Sequence, residues 1–174
     1  MKARKSIMAS SLAFLLWGCQ AKAPIHTVSS VDLKRFMGDW YVVAAIPTFI
    51  ETDAYNAVES YRLAEDGTIE TTFRFNKGGF DGPLKTYTPR GFVEDTQSNA
   101  VWGMQFIWPF KAEYRIVHLE PDYSVTVIGR TRRDYVWIMA RRPRIPEEDY
   151  ARLLSFLVEQ GYDVAKIRKV PHSN

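Results

Sequence analysis

The chain has 174 residues, a length that favours a single domain with a sizeable core. Aromatic residues make up 14% of it, a share typical of a β-protein with an apolar interior. The formal net charge is +3, and Lys2, Arg4 and Lys5 supply three positive charges before the first apolar segment, so the rest of the chain is close to neutral. This distribution, with no long basic segment, argues against nucleic-acid binding.

The first twenty residues have the pattern of a targeting signal. A basic start is followed by an apolar stretch from Ile7 to Trp17, which is too short for a permanent membrane-spanning helix. The segment Leu16-Trp17-Gly18-Cys19 resembles a bacterial lipobox, which implies cleavage after Gly18 and acyl chains, palmitate among them, on Cys19. Because Cys19 is the only cysteine, an intrachain disulfide is excluded.

These features predict three segments. We expect a lipoprotein signal peptide over residues 1–18, a lipidated tether over 19–30 and one domain over 31–174. Gln20 follows the cysteine, and its resemblance to known sorting signals implies the periplasmic face of the outer membrane.

From Gly38 onward, short segments of alternating apolar and polar residues recur, with turn signals such as Pro47, Asp66-Gly67 and Pro109 between them. We predict eight strands: Gly38 to Ile46, Tyr55 to Leu63, Thr68 to Asn76, Thr86 to Glu94, Ala100 to Trp108, Tyr114 to Leu119, Ser124 to Thr131 and Tyr135 to Arg141. Hairpin-length loops favour an all-β, up-and-down antiparallel arrangement, and closure into an eight-stranded barrel removes both exposed sheet edges.

The last third of the chain changes to a helical period. Pro146 suits the first helical position and Gly161 the position after the last turn. The apolar residues between them predict a stripe that packs against the outside of the barrel; they are Tyr150, Leu153, Leu154, Leu157 and Val158. A short ninth strand is expected within residues 162–170.

Three motifs in order resemble those of the lipocalin family. The first is Gly38-Asp39-Trp40, the second surrounds Asp134-Tyr135, and the third contains Arg141. With the lipobox, the resemblance narrows to bacterial outer-membrane lipoprotein lipocalins related to apolipoprotein D. It implies that Trp40 closes one end of the barrel and that Arg141 lies across its ring.

The resemblance and the alternation together predict which side chains face the barrel interior. These are Tyr61, Phe73, Phe75, Met104, Phe106, Trp108, Tyr114, Ile116, Trp137 and Met139. They either fill a core or line a ligand cavity, and an eight-stranded barrel is just wide enough for one small ligand. We predict a binding protein, without catalytic residues or cofactor, whose ligand is a fatty acid or a lysophospholipid-like amphiphile. Carriage, storage or scavenging in the cell envelope would follow, and a homodimer stays open.

Two other functions remain in view. A lipid- or isoprenoid-modifying enzyme would need a titratable group inside the barrel, and alternation leaves Glu59 as the candidate. An assembly lipoprotein would have a filled barrel and no cavity. His26, His118 and His172 are too scattered to suggest a metal site.

Overall fold

Ten strands and two α-helices follow one another in the part of the chain that the computed structural model describes, residues 25–173. In chain order they are α1 (Leu33–Phe36), β1 (Gly38–Ile46), β2 (Ala54–Leu63), β3 (Ile69–Lys77), β4 (Leu84–Tyr87), β5 (Arg90–Val93), β6 (Val101–Ile107), β7 (Phe110–Leu119), β8 (Val125–Gly129), β9 (Val136–Ala140), α2 (Glu147–Glu159) and β10 (Arg168–Lys169). The predicted signal peptide and Cys19 lie outside these residues. Within residues 25–173, no helix is both long enough and apolar enough to span a membrane.

The sheet closes on itself as predicted. Neighbouring strands of the sheet pair antiparallel, and the barrel closes because β1 also pairs with β9, from Tyr41 opposite Ala140 to Ile46 opposite Val136. β4 and β5 both pair with β3, so they count as one interrupted barrel strand and the barrel has eight strands.

The interruption corrects the prediction of one strand from Thr86 to Glu94. Residues 88–89 separate β4 from β5, because Pro89 has no N–H to donate to a neighbouring strand. Its carbonyl oxygen still accepts a hydrogen bond from the Thr71 N–H, at 3.3 Å. The gap therefore bends the strand without breaking the barrel wall.

The two ends of the barrel are built differently. The closed end carries α1 and the loops 64–68, 94–100 and 120–124, whereas the open end carries the loops 47–53, 78–83, 108–109 and 130–135. An interior apolar cluster fills the barrel toward the closed end and contains Phe36, Trp40 and Trp102. A second cluster lies outside the barrel wall, beneath α2.

Helix α2 covers the outer wall with Tyr150, Leu153 and Leu157, which are buried. Gly161 follows the helix with a φ of +84°, a value that favours glycine and confirms its predicted place after the last turn. Val158 was predicted in the buried stripe, and this is wrong: it is 55% exposed because the helix touches the barrel along a narrower stripe than the sequence pattern suggests. The predicted ninth strand is reduced to β10, which pairs with β1.

Candidate functional site

The closed end of the barrel is sealed by Trp40 and Arg141. Trp40 is 0% exposed and donates its indole N–H to the Phe36 carbonyl oxygen, at 2.8 Å. The Arg141 guanidinium carbon lies 3.8 Å from the centre of the Trp40 ring, which confirms the predicted stacking. Its nitrogens also donate to the carbonyl oxygens of Arg35, Phe36, Met37 and Asp39, at 2.8–3.0 Å. Arg141 therefore satisfies the end of α1 and the start of β1 together.

Two other motif residues have local structural roles. Gly38 has a φ of +93°, so its conformation, rather than close approach of a neighbouring strand, requires a residue without Cβ. At the open end, Asp134 accepts a hydrogen bond from the Tyr135 N–H and lies 3.6 Å from Arg130 Nε. The Arg130 guanidinium lies over the Tyr135 ring, so both residues of the second motif organise the loop before β9.

A cavity of about 80 Å³ opens at the other end of the barrel. Its walls are mainly apolar, and polar side chains converge on it from the loops and from β2 and β7. The lining residues are Thr48, Ile50, Glu51, Glu59, Phe73, Pro89, Met104, Phe106, Ala112, Glu113, Tyr114, Arg130 and Trp137.

Five of the predicted interior residues line this cavity: Phe73, Met104, Phe106, Tyr114 and Trp137. Four others are buried in the interior cluster without lining the cavity: Tyr61, Phe75, Ile116 and Met139. These four pack against other side chains, so they contribute to a site by shaping the walls of the cavity and its inner end, which we call the floor.

Trp108 does not face the interior, and that prediction is wrong. β6 ends at Ile107 and β7 begins at Phe110, so Trp108 and Pro109 form the tip of a hairpin beyond the barrel wall. Trp108 is consequently 81% exposed. The pairing of β6 with β7 also shifts between Met104 and Ile107, which carries Phe106 to the mouth of the cavity.

Glu59 lies at the inner end of the cavity, as alternation predicts. The Tyr61 hydroxyl donates a hydrogen bond to the Glu59 carboxyl group, and the Tyr61 and Tyr114 hydroxyl oxygens are 2.8 Å apart. Burial and the nearby Glu51 carboxylate raise the pKa of Glu59 from 4.5 to about 8. Burial also raises the pKa of Tyr114 well above its usual range. At neutral pH the floor therefore carries a mostly uncharged carboxyl group beside two phenols.

Glu51 is a second interior carboxyl group, and the sequence pattern missed it because it lies in the loop after β1, where no periodicity applies. It is 5% exposed and accepts hydrogen bonds from the Thr48 N–H and hydroxyl, at 3.0 and 2.9 Å, and from the Trp137 indole N–H. Burial raises the pKa of Glu51, although these hydrogen bonds oppose the rise.

The mouth of the cavity carries charge of both signs. Arg130 lines it, and its Nε has no hydrogen-bond partner, only the ion pair with Asp134. The Glu113 carboxylate accepts hydrogen bonds from the Thr131 N–H and hydroxyl, both at 2.7 Å, and from Arg115. Arg130 is thus the cavity-lining cation best placed to meet an anionic group. Among the described residues, no three metal-ligating side chains converge on one point.

Comparison with known proteins identifies the family. The family model for the lipocalin-like domain matches residues 31–172. The chain is 30% identical to temperature-induced lipocalin-1 of Arabidopsis thaliana over 88% of this chain and 86% of that protein. It is 27% identical to the outer membrane lipoprotein Blc of Escherichia coli over 92% of both chains, and 26% identical to bovine apolipoprotein D over 78% and 74%.

Solved structures agree at the level of fold. Insecticyanin from the tobacco hornworm Manduca sexta superposes with a TM-score of 0.69 at 12% identity, over 86% of this chain and 85% of the other. The cockroach allergen Per a 4 gives 0.66 at 17% identity, over 88% and 97%. The matched domain model, these relatives and the closed barrel with its tryptophan–arginine seal lead to one conclusion: the chain belongs to the lipocalin family.

Proposed function

We propose that the protein binds one single-chain amphiphile in its barrel and carries, stores or scavenges it in the cell envelope, without chemical change to the ligand. The observation that carries the proposal is the cavity at the open end, whose walls include Phe73, Met104, Phe106 and Trp137. Each methylene buried there would contribute about 0.8 kcal/mol, so an acyl chain alone could support micromolar binding.

The charges around the cavity support a tail-first orientation. A ligand carboxylate or phosphate at the floor would meet Glu59, which has no cation beside it within the cavity. At the mouth, the same anionic group would meet Arg130. The acyl tail would therefore point inward, and the head group would stay at the open end.

The cavity volume sets a condition on this proposal. Ligand cavities commonly measure about 300–1,000 Å³, and the volume here is about 80 Å³. A long acyl chain would have to push side chains at the mouth aside. Met104 and Phe106 are suited to this, because a methionine is flexible and Phe106 is already half exposed.

The small volume also favours a second candidate, an assembly lipoprotein with a filled barrel. Titration of delipidated protein with a fluorescent fatty acid separates the two. Binding predicts saturable quenching of protein fluorescence that natural lysophospholipids reverse. Ala112→Phe, which enlarges a cavity-lining side chain, should weaken this binding about tenfold or more, since it removes space for two or more methylenes. Val158→Phe on the exposed side of α2 is the matched control.

One observation favours an enzyme instead: the interior Glu59 has a pKa of about 8, and a raised pKa inside a cavity is typical of a catalytic acid or base. Turnover of a lipid or isoprenoid by purified protein, lost in Glu59→Gln, would favour an enzyme over a carrier.

We also propose that lipid on Cys19 anchors the protein to the periplasmic side of the outer membrane, with residues 1–18 removed. Cys19 lies outside the described residues, so the support comes from the lipobox-like sequence and from relatives named outer membrane lipoprotein. The intact mass of protein extracted from membranes should show the acyl chains. Cys19→Ala should move the protein to the soluble periplasm, and continued membrane fractionation would contradict the anchor.

A further inference from the structure

The open end of the barrel carries most of the large apolar side chains that remain exposed. Of the eight in the described part of the chain, Val158 lies on α2 outside the barrel wall, and Phe80 packs on the Tyr55 ring. The remaining six, which we call the apolar rim, are Phe49, Leu84, Phe106, Ile107, Trp108 and Phe110. Four of them come from the single hairpin between β6 and β7, and one of these, Phe106, also lines the cavity. An exposed apolar surface of this kind marks a binding face.

Exposed charges differ between the two ends of the barrel. The exposed cations at or beside the open-end loops are Lys77, Lys85, Lys111 and Arg132, and the exposed acid there is Asp81. At or beside the closed-end loops the two signs are nearly balanced: the exposed cations are Lys34, Arg35, Arg62, Arg90 and Arg142, and the exposed acids are Asp32, Asp39, Glu65, Asp66, Glu94 and Asp122. Apolar and aromatic side chains with an excess of cations around them suit the surface of an anionic lipid bilayer, whereas the exposed charges of the closed end nearly cancel.

Traced backward from Val31 to Ile25, the N-terminal segment leads from the interior cluster at the closed end to the cluster outside the barrel wall. Its Val31 N–H donates to the Ser98 carbonyl oxygen at the closed end, at 2.7 Å. Ile25 is 2% exposed and packs beside Gly129, the last residue of β8 before an open-end loop. Ile25, the first described residue, therefore lies toward the open end of the barrel.

The residues between Cys19 and Ile25 are numerous enough to cover the distance from Ile25 to the apolar rim. Cys19 is six positions before Ile25, and six residues span at most about 20 Å. Gly129 pairs with Arg115 on β7, and Phe110 lies five positions nearer the hairpin tip, or about 17 Å along the strand. Acyl chains on Cys19 can thus reach the level of Trp108.

We propose that the apolar rim docks on the lipid bilayer that holds the Cys19 anchor, so that the cavity mouth faces the membrane surface. This rests on the proposed anchor and extends the proposed function, because an amphiphile would then pass between bilayer and barrel without crossing water. The partner is a lipid surface of net negative charge, and Trp108 and Phe110 enter its head-group region.

Tryptophan quenching by brominated lipid tests the docking directly. The acylated protein is placed on vesicles of phosphatidylethanolamine and phosphatidylglycerol, with and without bromine on the acyl chains. Trp40 and Trp102 are fully buried, and a Trp137→Phe background removes the tryptophan that a lipid inside the cavity would reach. Trp108 is then the one exposed tryptophan of the described residues. We expect brominated vesicles to quench the emission, and Trp108→Phe to abolish that quenching.

The matched control keeps the same anchor and moves the reporter. In the Trp108→Phe/Trp137→Phe background, Ala151→Trp places an exposed tryptophan on α2 next to Arg152, which pairs with Glu120 of the closed-end loop 120–124, and there we expect no quenching. Equal quenching at both positions, or none at Trp108, would overturn the proposal. A dimer that shields Trp108, seen by light scattering together with absent quenching, would overturn it in favour of a protein partner.

Failure of this proposal is separable from failure of the proposed function. The intact mass tests whether Cys19 is acylated, and fatty-acid titration in solution tests whether the cavity binds a ligand. The tryptophan quenching tests whether the apolar rim docks on the bilayer. If the mass shows no acyl chains, the anchor is wrong, and protein added to the same vesicles still shows whether the rim meets lipid.

Discussion

Glu59→Gln should change how the stability of the protein depends on pH. Burial raises the pKa of Glu59 from 4.5 to about 8 in the folded protein, so between these values the folded state holds a proton that the unfolded chain releases. The stability from this proton is complete below about pH 4.5 and is lost as the pH rises through about 8. Since each pKa unit corresponds to about 1.4 kcal/mol, the full loss is about 5 kcal/mol, and water that enters through the cavity mouth would reduce it to about 2–5 kcal/mol.

The assay is urea unfolding at several pH values between 5 and 9. Glu59→Gln keeps the shape and an acceptor for the Tyr61 hydroxyl but cannot ionise, so the free energy of unfolding of the variant should fall less steeply with pH. At pH 9 the variant should be the more stable protein. Glu65→Gln removes a carboxylate from an exposed turn and tests whether any loss of negative charge has this effect. If the free energy of unfolding falls with pH equally for wild type and Glu59→Gln, the interpretation that Glu59 holds a proton in the folded protein is refuted.

Three further substitutions test the closed end. Trp40→Ala should lower the free energy of unfolding by about 3–5 kcal/mol while fatty-acid affinity measured well below the melting temperature changes little; a selective loss of affinity would place Trp40 in the ligand site instead. Arg141→Lys should cost about 2–4 kcal/mol in urea unfolding, because an ammonium cannot stack on Trp40 and serve four carbonyl oxygens together; a neutral effect would contradict the seal. Gly38→Ala should cost about 1–3 kcal/mol, because its φ of +93° strains any residue with a Cβ; thermal unfolding at an unchanged temperature would show that β1 begins with a relaxed backbone.

The sequence predicts the barrel well because alternation reports burial directly. All eight strand segments correspond to barrel strands, and the observed bounds differ from the predicted ones by a few residues at their ends. Pairing between β1 and β9 cannot be read from alternation, which describes one strand at a time. That closure followed from the need to remove sheet edges and from the family motifs.

The site was less predictable, and the misses have physical causes. Trp108 was placed inside because alternation was extended past Ile107, where the strand ends and inward or outward direction loses its meaning. Glu51 was missed because a loop residue has no period, and its burial depends on how the loop folds over Trp137. Glu59 was placed correctly, but its raised pKa arises first from burial and then from the Glu51 carboxylate eight positions away, and no local pattern encodes either cause.

The rim illustrates a different limit. Phe106, Ile107, Trp108 and Phe110 look like core residues in the sequence, because an apolar run near a strand end has the composition of a buried strand. The tertiary structure alone shows that they lie exposed at the open end rather than fill the barrel.

Native mass spectrometry of protein purified without detergent tests the central claim, that the barrel holds an amphiphile, most directly. We predict a complex of one protein with one single-chain lipid, or its formation when the delipidated protein is mixed with lysophospholipid or fatty acid, and its loss in Ala112→Phe but not in Val158→Phe. A protein that carries no lipid after purification and takes up none on titration would contradict the account and leave a filled barrel as the explanation.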